Sequence, residues 1–310
     1  MADTNFDIVI IGAGPGGLTA AIYGQRAGLK CLVLDPNPIG GGKIQTTNEV
    51  DNYPGLPGVG GMELGMKFEE HAKKLGAEMR TETVSSVSPE GKSKLVVTDK
   101  SEYLTKAVII STGTGHKLLG VPGEKDLTGR GVSYCATCDG AFFRNKKVAV
   151  IGGGDVALED ALFLARTSET VYLIPGKEEI TGAKILQDQV AGNDKIQMID
   201  DKIVKKIEGK FGVDGLILMD KESKEESALE VKGVFIAVGS LPNTEHMTGL
   251  AKTDERGYLI AGEDCRTDIA GLYAAGDVRS KALRQVVTAA ADGANSIVSI
   301  QQDMRAGIIG

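Results

Sequence analysis

The sequence predicts an α/β protein built from two Rossmann-like dinucleotide-binding domains, the second inserted into the first. Three observations predict it. A strand–turn–helix–strand unit near the N-terminus carries Gly12-Ala13-Gly14-Pro15-Gly16-Gly17, and a second carries Gly152-Gly153-Gly154-Asp155-Val156-Ala157. Between the two stands a reactive pair, Cys135-Ala136-Thr137-Cys138, followed by Asp139. A C-x-x-C spacing brings two thiols close enough to form a small disulfide and lets one sulfur lower the pKa of the other.

In the first unit the run Phe6–Ile11 is rich in β-branched residues and reads as a buried parallel strand. Leu18–Ala27 reads as a helix stopped by Gly28, and Lys30–Leu34 as the next strand, ending at Asp35. A helix over Gly61–Leu75 follows, then short strands from Glu78 to Leu104 with a turn at Ser88-Pro89-Glu90-Gly91, then a buried strand at Ala107–Gly113. The second unit repeats the plan. Lys147–Ile151 is a strand, Leu158–Arg166 a helix, Thr170–Ile174 a strand, and Val234–Gly239 stands where Val108–Gly113 stands in the first. A strand and turn over Gly271–Val278 and a helix over Arg284–Ser299 complete the chain.

This tail has too few elements to fold alone, so it returns to the first domain. The expected division is residues 1–116 and 245–310 for one domain and 117–244 for the other, with crossings near Gly115–Gly120 and Ser240–Thr244 forming a hinge. A length of 310 residues suits two domains.

Composition narrows the function. With 42% hydrophobic and 25% charged residues the chain is an ordinary globular protein, and 42 glycines suit tight turns and phosphate loops. A net charge of −7, with no basic run interleaved with aromatics, argues against nucleic acid. No apolar run approaches the ~20 residues of a membrane span. Residues Met1–Asp7 lack a basic leader and Ile8–Ile11 is too short for a signal core, so the expected compartment is the cytoplasm. Cys31 and Cys265 lie near strands and read as small packing residues. A zinc site would want a second pair of ligands, and there is no second C-x-x-C. His71, His116 and His246 are scattered and read as surface or packing residues.

In the first glycine motif, Gly12 allows the tight turn, Gly14 lets amides approach a pyrophosphate, Gly17 permits close helix–strand packing, and Asp35 can accept bonds from ribose hydroxyls. The helix N-terminus faces the negative charge. In the second motif Ala157 takes the third glycine's place, which the fingerprint permits. Pro175 stands where Asp35 stands in the first, so the ribose-reading acid is missing, and Gly176-Lys177-Glu178-Glu179 is a poor site for a 2′-phosphate. A nucleotide fold kept only as a scaffold for the dithiol stays open as an alternative. For the cysteine pair, a structural disulfide and a metal half-site compete with a catalytic role. Asp139 is read as a general acid or base for a thiol, or as a capping residue. Ala141-Phe142-Phe143 is read as a wall against water or as core. Ser111-Thr112-Gly113 reads as a turn where backbone approaches a cofactor closely.

Together these residues resemble the low-molecular-weight thioredoxin reductases over nearly the whole chain. The landmarks are Gly12–Gly17, Gly41-Gly42, Asn52-Tyr53-Pro54-Gly55, Gly120–Glu124, Cys135–Asp139, Gly152–Ala157, Gly271–Val278 and Arg284-Gln285-Val286. The resemblance implies a homodimer with non-covalent FAD, reducing the disulfide of a thioredoxin-like protein. It implies that Cys138 lies next to the flavin, that Cys135 attacks the partner disulfide, that Asp139 supplies the proton, and that the inserted domain rotates. It carries the cofactor set onto Gly12, Gly14, Pro15, Gly16, Gly17, Asp35, Pro36, Gly41, Gly42, Lys43, Ile44, Gln45, Asn52, Val84, Thr112, Gly113, Gly276, Asp277, Arg284, Gln285 and Val286 for FAD. For the nicotinamide nucleotide it points to Gly152, Gly154, Asp155, Ala157 and Lys177. NADPH-using relatives carry H-R-R-x-x-x-R where this chain has Pro175–Thr181, so NADPH, NADH, reduced ferredoxin and a deazaflavin all stand as electron donors. The rivals are reduction of another dithiol carrier, an oxygen-dependent dithiol oxidase, and a redox sensor without turnover.

Overall fold

The computed structural model describes residues 6–47, 49–50, 52–176, 180–244 and 249–310. The chain opens with β1 (Ile8–Ile11), α1 (Pro15–Arg26) and β2 (Cys31–Asp35), then α2 (Gly61–Lys74) and β3 (Glu78–Thr81). Three strands follow, β4 (Val84–Glu90), β5 (Ser93–Thr98) and β6 (Glu102–Thr105), before β7 (Ala107–Ile110). The segment β8 (Thr114–His116) leads out to α3 (Glu124–Leu127), β9 (Val132–Ser133), α4 (Ala136–Asp139), β10 (Lys147–Ile151), α5 (Asp155–Ala165) and β11 (Thr170–Ile174). Next come α6 (Lys184–Ala191), β12 (Ile196–Met198), β13 (Lys202–Gly209), β14 (Val213–Asp220), β15 (Glu226–Glu230) and β16 (Gly233–Ile236). The return segment β17 (Ser240–Pro242) precedes β18 (Leu272–Ala274) and α7 (Val286–Arg305).

The chain divides into two compact units, residues 1–115 with 241–310, and residues 116–240. The first holds a parallel sheet in the order β18-β7-β1-β2-β3 and the second one in the order β12-β11-β10-β16-β9. Each also holds a three-stranded antiparallel sheet, β4-β5-β6 in the first and β13-β14-β15 in the second.

Side-chain alternation explains both. Ile8 and Ile10 pack with Leu18, Ala21 and Ile297 on the helical face, while Val9 and Ile11 pack with Val87, Val96 and Tyr103 on the antiparallel sheet. In the second unit Val148 and Val150 meet Leu158 and Leu164 of α5, while Ala149 and Ile151 meet Leu216 and Leu218. A parallel strand buried on both faces must be apolar at every position, which is why these runs read as continuous.

The helices after both glycine turns start three residues earlier than the sequence reading, at Pro15 and Asp155, and the chain re-enters the first unit at 241 rather than 245; two further differences have a local cause. The predicted turn at Ser88–Gly91 begins later: Ser88 and Pro89 lie inside β4, and the chain reverses at Gly91, with φ +59°. Pro89 is tolerated because β4 is an edge strand and pairs only with β5. The last helix starts two residues later than Arg284, because Gln285 is its N-cap in a reciprocal capping box with Thr288. It runs past Ser299 to Arg305, held there by Asp303, which accepts from Arg266 and from the Tyr273 hydroxyl.

Gly293 sits in the middle of α7, where glycine normally weakens a helix. Here α7 crosses α1 so closely that a Cβ on Gly293 would lie 2.8 Å from the Ala20 amide and 3.0 Å from Thr19 Cβ. Replacing Gly293 by Ala is therefore expected to lower stability by about 1–3 kcal/mol through overpacking, despite alanine's better helix propensity. Thermal unfolding checks this, and a raised Tm would refute the close contact.

Candidate functional site

In the first unit the turn after β1 is shaped by missing side chains. Gly12 has φ +103°, and a Cβ there would run into the Ser111 carbonyl on β7's exit. A Cβ on Gly14 would meet nothing within 4 Å, so this side of the turn is open. Pro15 occupies the first turn of α1, where its missing N–H costs no bond, and no side chain caps the helix. The first amides of α1 thus have no partner within the helix and face the opening.

Two further glycine segments converge on this turn. A Cβ on Gly42 would lie 3.1 Å from the Gly14 Cα, and one on Gly16 would lie 3.4 Å from the Gly276 amide. Asp277 follows, and its Oδ1 is buried without a hydrogen-bond partner. Burial raises its pKa, while Lys281, Lys43 and Arg284 pull it back. A buried carboxylate oxygen waiting for a donor beside a glycine cradle open to a diphosphate fits the hydroxyl-bearing chain and the pyrophosphate of FAD.

The other predicted residues fall around this cradle or brace it. Asp35 turns its carboxylate back on the glycine loop: Oδ2 accepts from the Ala13 amide at 2.7 Å and Oδ1 from the Asn37 amide at 2.8 Å. Pro36 is exposed next to it. Lys43 Nζ donates to Thr114 Oγ1 at 3.2 Å, and burial lowers its pKa. Ile44 lies in the same short 3-10 turn as Lys43. Gln45 closes that turn by donating to the Ile39 and Gly40 carbonyls. Asn52 Nδ2 donates to Gln285 Oε1 at 3.0 Å, next to Val286, the first residue of α7. Val84 is buried at the start of β4. Thr112 and Asn243 exchange two bonds, Oγ1 donating to the Asn243 carbonyl and Asn243 Nδ2 to the Thr112 carbonyl, and Gly113 has φ +65°. The Arg284 guanidinium stacks 3.9 Å over the Tyr258 ring and donates to the Asp277 carbonyl.

Sequence reasoning missed what holds Gly276 and Asp277 in place. Asp292 of α7, 3% exposed, accepts from the Gly276 amide at 3.0 Å, from Arg279 Nη2 at 2.6 Å and from Lys281 Nζ at 2.9 Å. A charged residue on an otherwise apolar helical face, just before Gly293, was the only signal of it in the sequence.

In the second unit Cys135 and Cys138 form a disulfide, with Cα atoms 5.3 Å apart. β9 delivers Cys135 as the N-cap of α4, and its sulfur accepts from the Cys138 amide at 3.2 Å. Ser133 fixes the backbone, accepting from the Cys135 amide and donating to its carbonyl. Tyr134 donates to Glu124 at 2.8 Å, and burial with that bond pushes its pKa up to about 12. Glu124, 1% exposed, also accepts from the Leu119 and Gly120 amides. Asp139 ends α4 and makes no side-chain cap. The Ala141–Phe143 segment divides: Phe143 is core, edge-on to Phe235, whereas Phe142 is 72% exposed.

The second glycine turn repeats the first at Gly152, with φ +142°, and at Ala157, which is fully buried. The Thr181 and Gly182 amides donate to the Gly153 carbonyl, and Asp155 accepts from the Ala183 amide at 2.6 Å. Gly154 precedes α5 as its N-cap, with no side-chain bond. Pro175 and Gly176 follow β11 and are buried, while Lys177, Glu178 and Glu179 lie outside the described residues, as does His246.

Cys31 and Cys265 are free and buried, and burial pushes both thiols up to about 12, so neither is a nucleophile. His116 stacks on Tyr134. Among the described residues no group of His, Cys, Asp and Glu could hold a metal ion, and no helix is long and apolar enough to cross a membrane.

Known proteins resemble this chain in sequence and fold. The family described as pyridine nucleotide-disulphide oxidoreductase matches residues 6–293, and the chain belongs to it. Thioredoxin reductase from Bacillus subtilis (strain 168) is 42% identical over 297 residues, 96% of this chain and 94% of that protein. The crystal structure of Lactococcus lactis thioredoxin reductase has a TM-score of 0.93 at 39% identity, covering 96% of this chain and 98% of that one. A ferredoxin-flavin thioredoxin reductase from Clostridium acetobutylicum has a TM-score of 0.54 at 28% identity, covering 98% and 99%. Within the family the chain groups with the low-molecular-weight thioredoxin reductases, an oxidoreductase acting on disulfides with FAD and a nicotinamide nucleotide as cofactors.

One carboxyl near the dithiol helix escaped the sequence reading. Asp160 stands one turn before Phe163 and Leu164, the α5 residues that pack against Gly140 after α4. Burial, with the Glu159 charge beside it, pushes its pKa up to about 7. A carboxyl raised in the folded state favours folding while protonated, and that contribution is lost as pH rises from its unfolded value, ~4, through 7. Asp160→Asn should therefore stabilise the protein at pH 8 relative to the parent and lose this advantage near pH 4. Melting curves at the two pH values check it, and an equal Tm difference at both would disprove the raised pKa.

Proposed function

We propose that this chain reduces the disulfide of a thioredoxin-like protein through Cys135 and Cys138, with FAD held by the first unit and a nicotinamide nucleotide by the second. The observation that carries the reading is the Cys135–Cys138 disulfide, placed in a chain with two glycine-turn nucleotide folds. Bound FAD supplies two-electron transfer between a nicotinamide and a dithiol. The glycine cradle of Gly12–Gly17, Gly41-Gly42 and Gly276 would hold the pyrophosphate. Asp277 would bond the ribityl or phosphate portion, with Asp35 orienting the loop and reaching the ribose. In the reduced dithiol, Cys135 attacks the partner disulfide and forms a mixed disulfide. Cys138 then attacks Cys135 and releases the partner as a dithiol, with Asp139 supplying a proton to the departing thiolate. A homodimer in the cytoplasm is the working assembly of this reading.

The asymmetry of the two cysteines gives a direct test. Cys138→Ser should trap a mixed disulfide between Cys135 and thioredoxin, Cys135→Ser should trap none, and both should lose turnover. Thioredoxin reduction at the parent rate by both variants would reject the catalytic dithiol.

The donor is set by the second unit. A 2′-phosphate is best held by guanidinium forks, and a 2′-hydroxyl by an acid at the end of the second strand. This chain has Pro175 there, followed by Gly176, and Thr181 over the Gly153 carbonyl. Each missing charge-assisted bond weakens binding by ~1.5–3 kcal/mol, so two absent arginines weaken NADPH by about two orders of magnitude or more. NADH gains no compensating acid. Slow flavin reduction by both nucleotides, with little preference, is expected, leaving room for reduced ferredoxin or a deazaflavin. Anaerobic stopped-flow bleaching by the four donors measures it, and fast bleaching by dilute NADPH would restore NADPH as the donor.

A further inference from the structure

The spacer of the cysteine pair divides its labour. Ala136 is 1% exposed and packs into the core of the second unit with Phe143, Ala161 and Leu164. Thr137 is the other half of the spacer. It is half-buried, and its Oγ1 lies 3.4 Å from the Cys135 sulfur. The Cys138 amide donates to the same sulfur at 3.2 Å. The two partners therefore converge on Cys135, while among the described residues the Cys138 sulfur accepts no hydrogen bond. Ser133 holds the Cys135 backbone from the other side, so the sulfur is presented to both partners in one fixed position.

A disulfide sulfur is a weak acceptor, whereas a thiolate is a strong one. The same two contacts thus strengthen when the disulfide is reduced and negative charge settles on sulfur, and hydrogen bonds to a charged form lower its pKa. We propose that Thr137 is a positioning residue for Cys135: its hydroxyl, with the Cys138 amide, holds the Cys135 sulfur as the thiolate and makes it the attacking thiol of the pair. This rests on the dithiol reading above. The Cys135 thiolate attacks one sulfur of the partner disulfide, that S–S bond breaks, and the other partner sulfur leaves as a thiolate. Cys138, losing its proton, then attacks the Cys135 sulfur, re-forms the Cys135–Cys138 disulfide and expels the second partner thiolate. Two electrons pass from the dithiol to the partner. Thr137 donates more strongly to the charged Cys135 sulfur than to the same sulfur in a disulfide, so it favours the attacking state over the mixed disulfide.

The test reads thiol ionisation directly, in FAD-loaded protein kept reduced. In a Cys138→Ser background the pH midpoint of iodoacetamide alkylation reports Cys135, because Cys31 and Cys265 are buried. Adding Thr137→Val, nearly isosteric, should raise this midpoint by about one pH unit, the loss of one hydrogen bond to a charged group. Thr137→Ser should keep the parent midpoint, and Thr137→Ala should behave like Val if Val perturbs folding. In a Cys135→Ser background Thr137→Val should leave the Cys138 midpoint unchanged. An unchanged Cys135 midpoint in the Val and Ala variants, an equal shift in the Ser variant, or an equal shift at Cys138 would overturn the proposal. Mixed-disulfide trapping with thioredoxin stands apart from these readings, so a failed partner assignment and a failed role for Thr137 give different results.

Discussion

Backbone meeting backbone without intervening side chains is the constraint on which this structure depends. Gly12 lies against the Ser111 carbonyl, Gly16 against the Gly276 amide, and Gly293 against the backbone of α1. The contacts of Gly12 and Gly293 need the absence of a Cβ, and together the three bring the end of β1, the start of α1, the Gly276–Asp277 turn and the middle of α7 to one place. The amides that open α1 are left without helical partners there, and they are the groups a diphosphate needs. Close packing thus does two jobs, building the core and leaving the site polar.

That geometry creates an electrostatic problem, and α7 solves it. Bringing the Gly276–Lys281 loop onto a helix buries Arg279 and Lys281, two cations that cannot be left unpaired away from water. Asp292 takes both and the Gly276 amide as well. Its carboxylate is then fully engaged, and Asp277 keeps an oxygen beside the cradle that accepts no hydrogen bond among the described residues and has Lys281 Nζ 4.0 Å from it. A hydrogen-bonded buried acid and one with a free acceptor oxygen stand next to each other at the glycine cradle.

The second unit uses the same strand–turn–helix plan to a different end. Its glycine turn is covered in part by the chain's own Thr181–Ala183 backbone, and the strand that ends in Asp35 in the first unit ends before Pro175 here. The cysteine pair stands instead at β9 and the short α4. There the buried Glu124 gathers Tyr134 and the Leu119 and Gly120 amides, and Ser133 sets the Cys135 backbone. The duplicated fold provides the platform, and a few local hydrogen bonds decide which sulfur faces which donor.

The sequence by itself determined the duplicated α/β fold, both glycine turns, the cysteine pair and the loss of the second acid at Pro175. These are local signals: strand periodicity, glycine spacing and residue identity are written within a dozen neighbouring positions. The inserted arrangement was also legible, because the tail was too short to make a core alone. Only the tertiary structure decided that Asp35 turns onto Ala13, that Arg284 stacks on Tyr258, that Asp292 anchors the Gly276 loop, that Phe142 and Phe143 part company, and that the Thr137 hydroxyl lies against the Cys135 sulfur. Four of these pair or sort side chains by packing and charge between elements distant in sequence, where many partners are chemically equivalent until the backbone chooses one. The fifth, at Thr137, spans two residues, but the direction of a hydroxyl depends on a backbone that β9 and the core around Ala136 had first to fix.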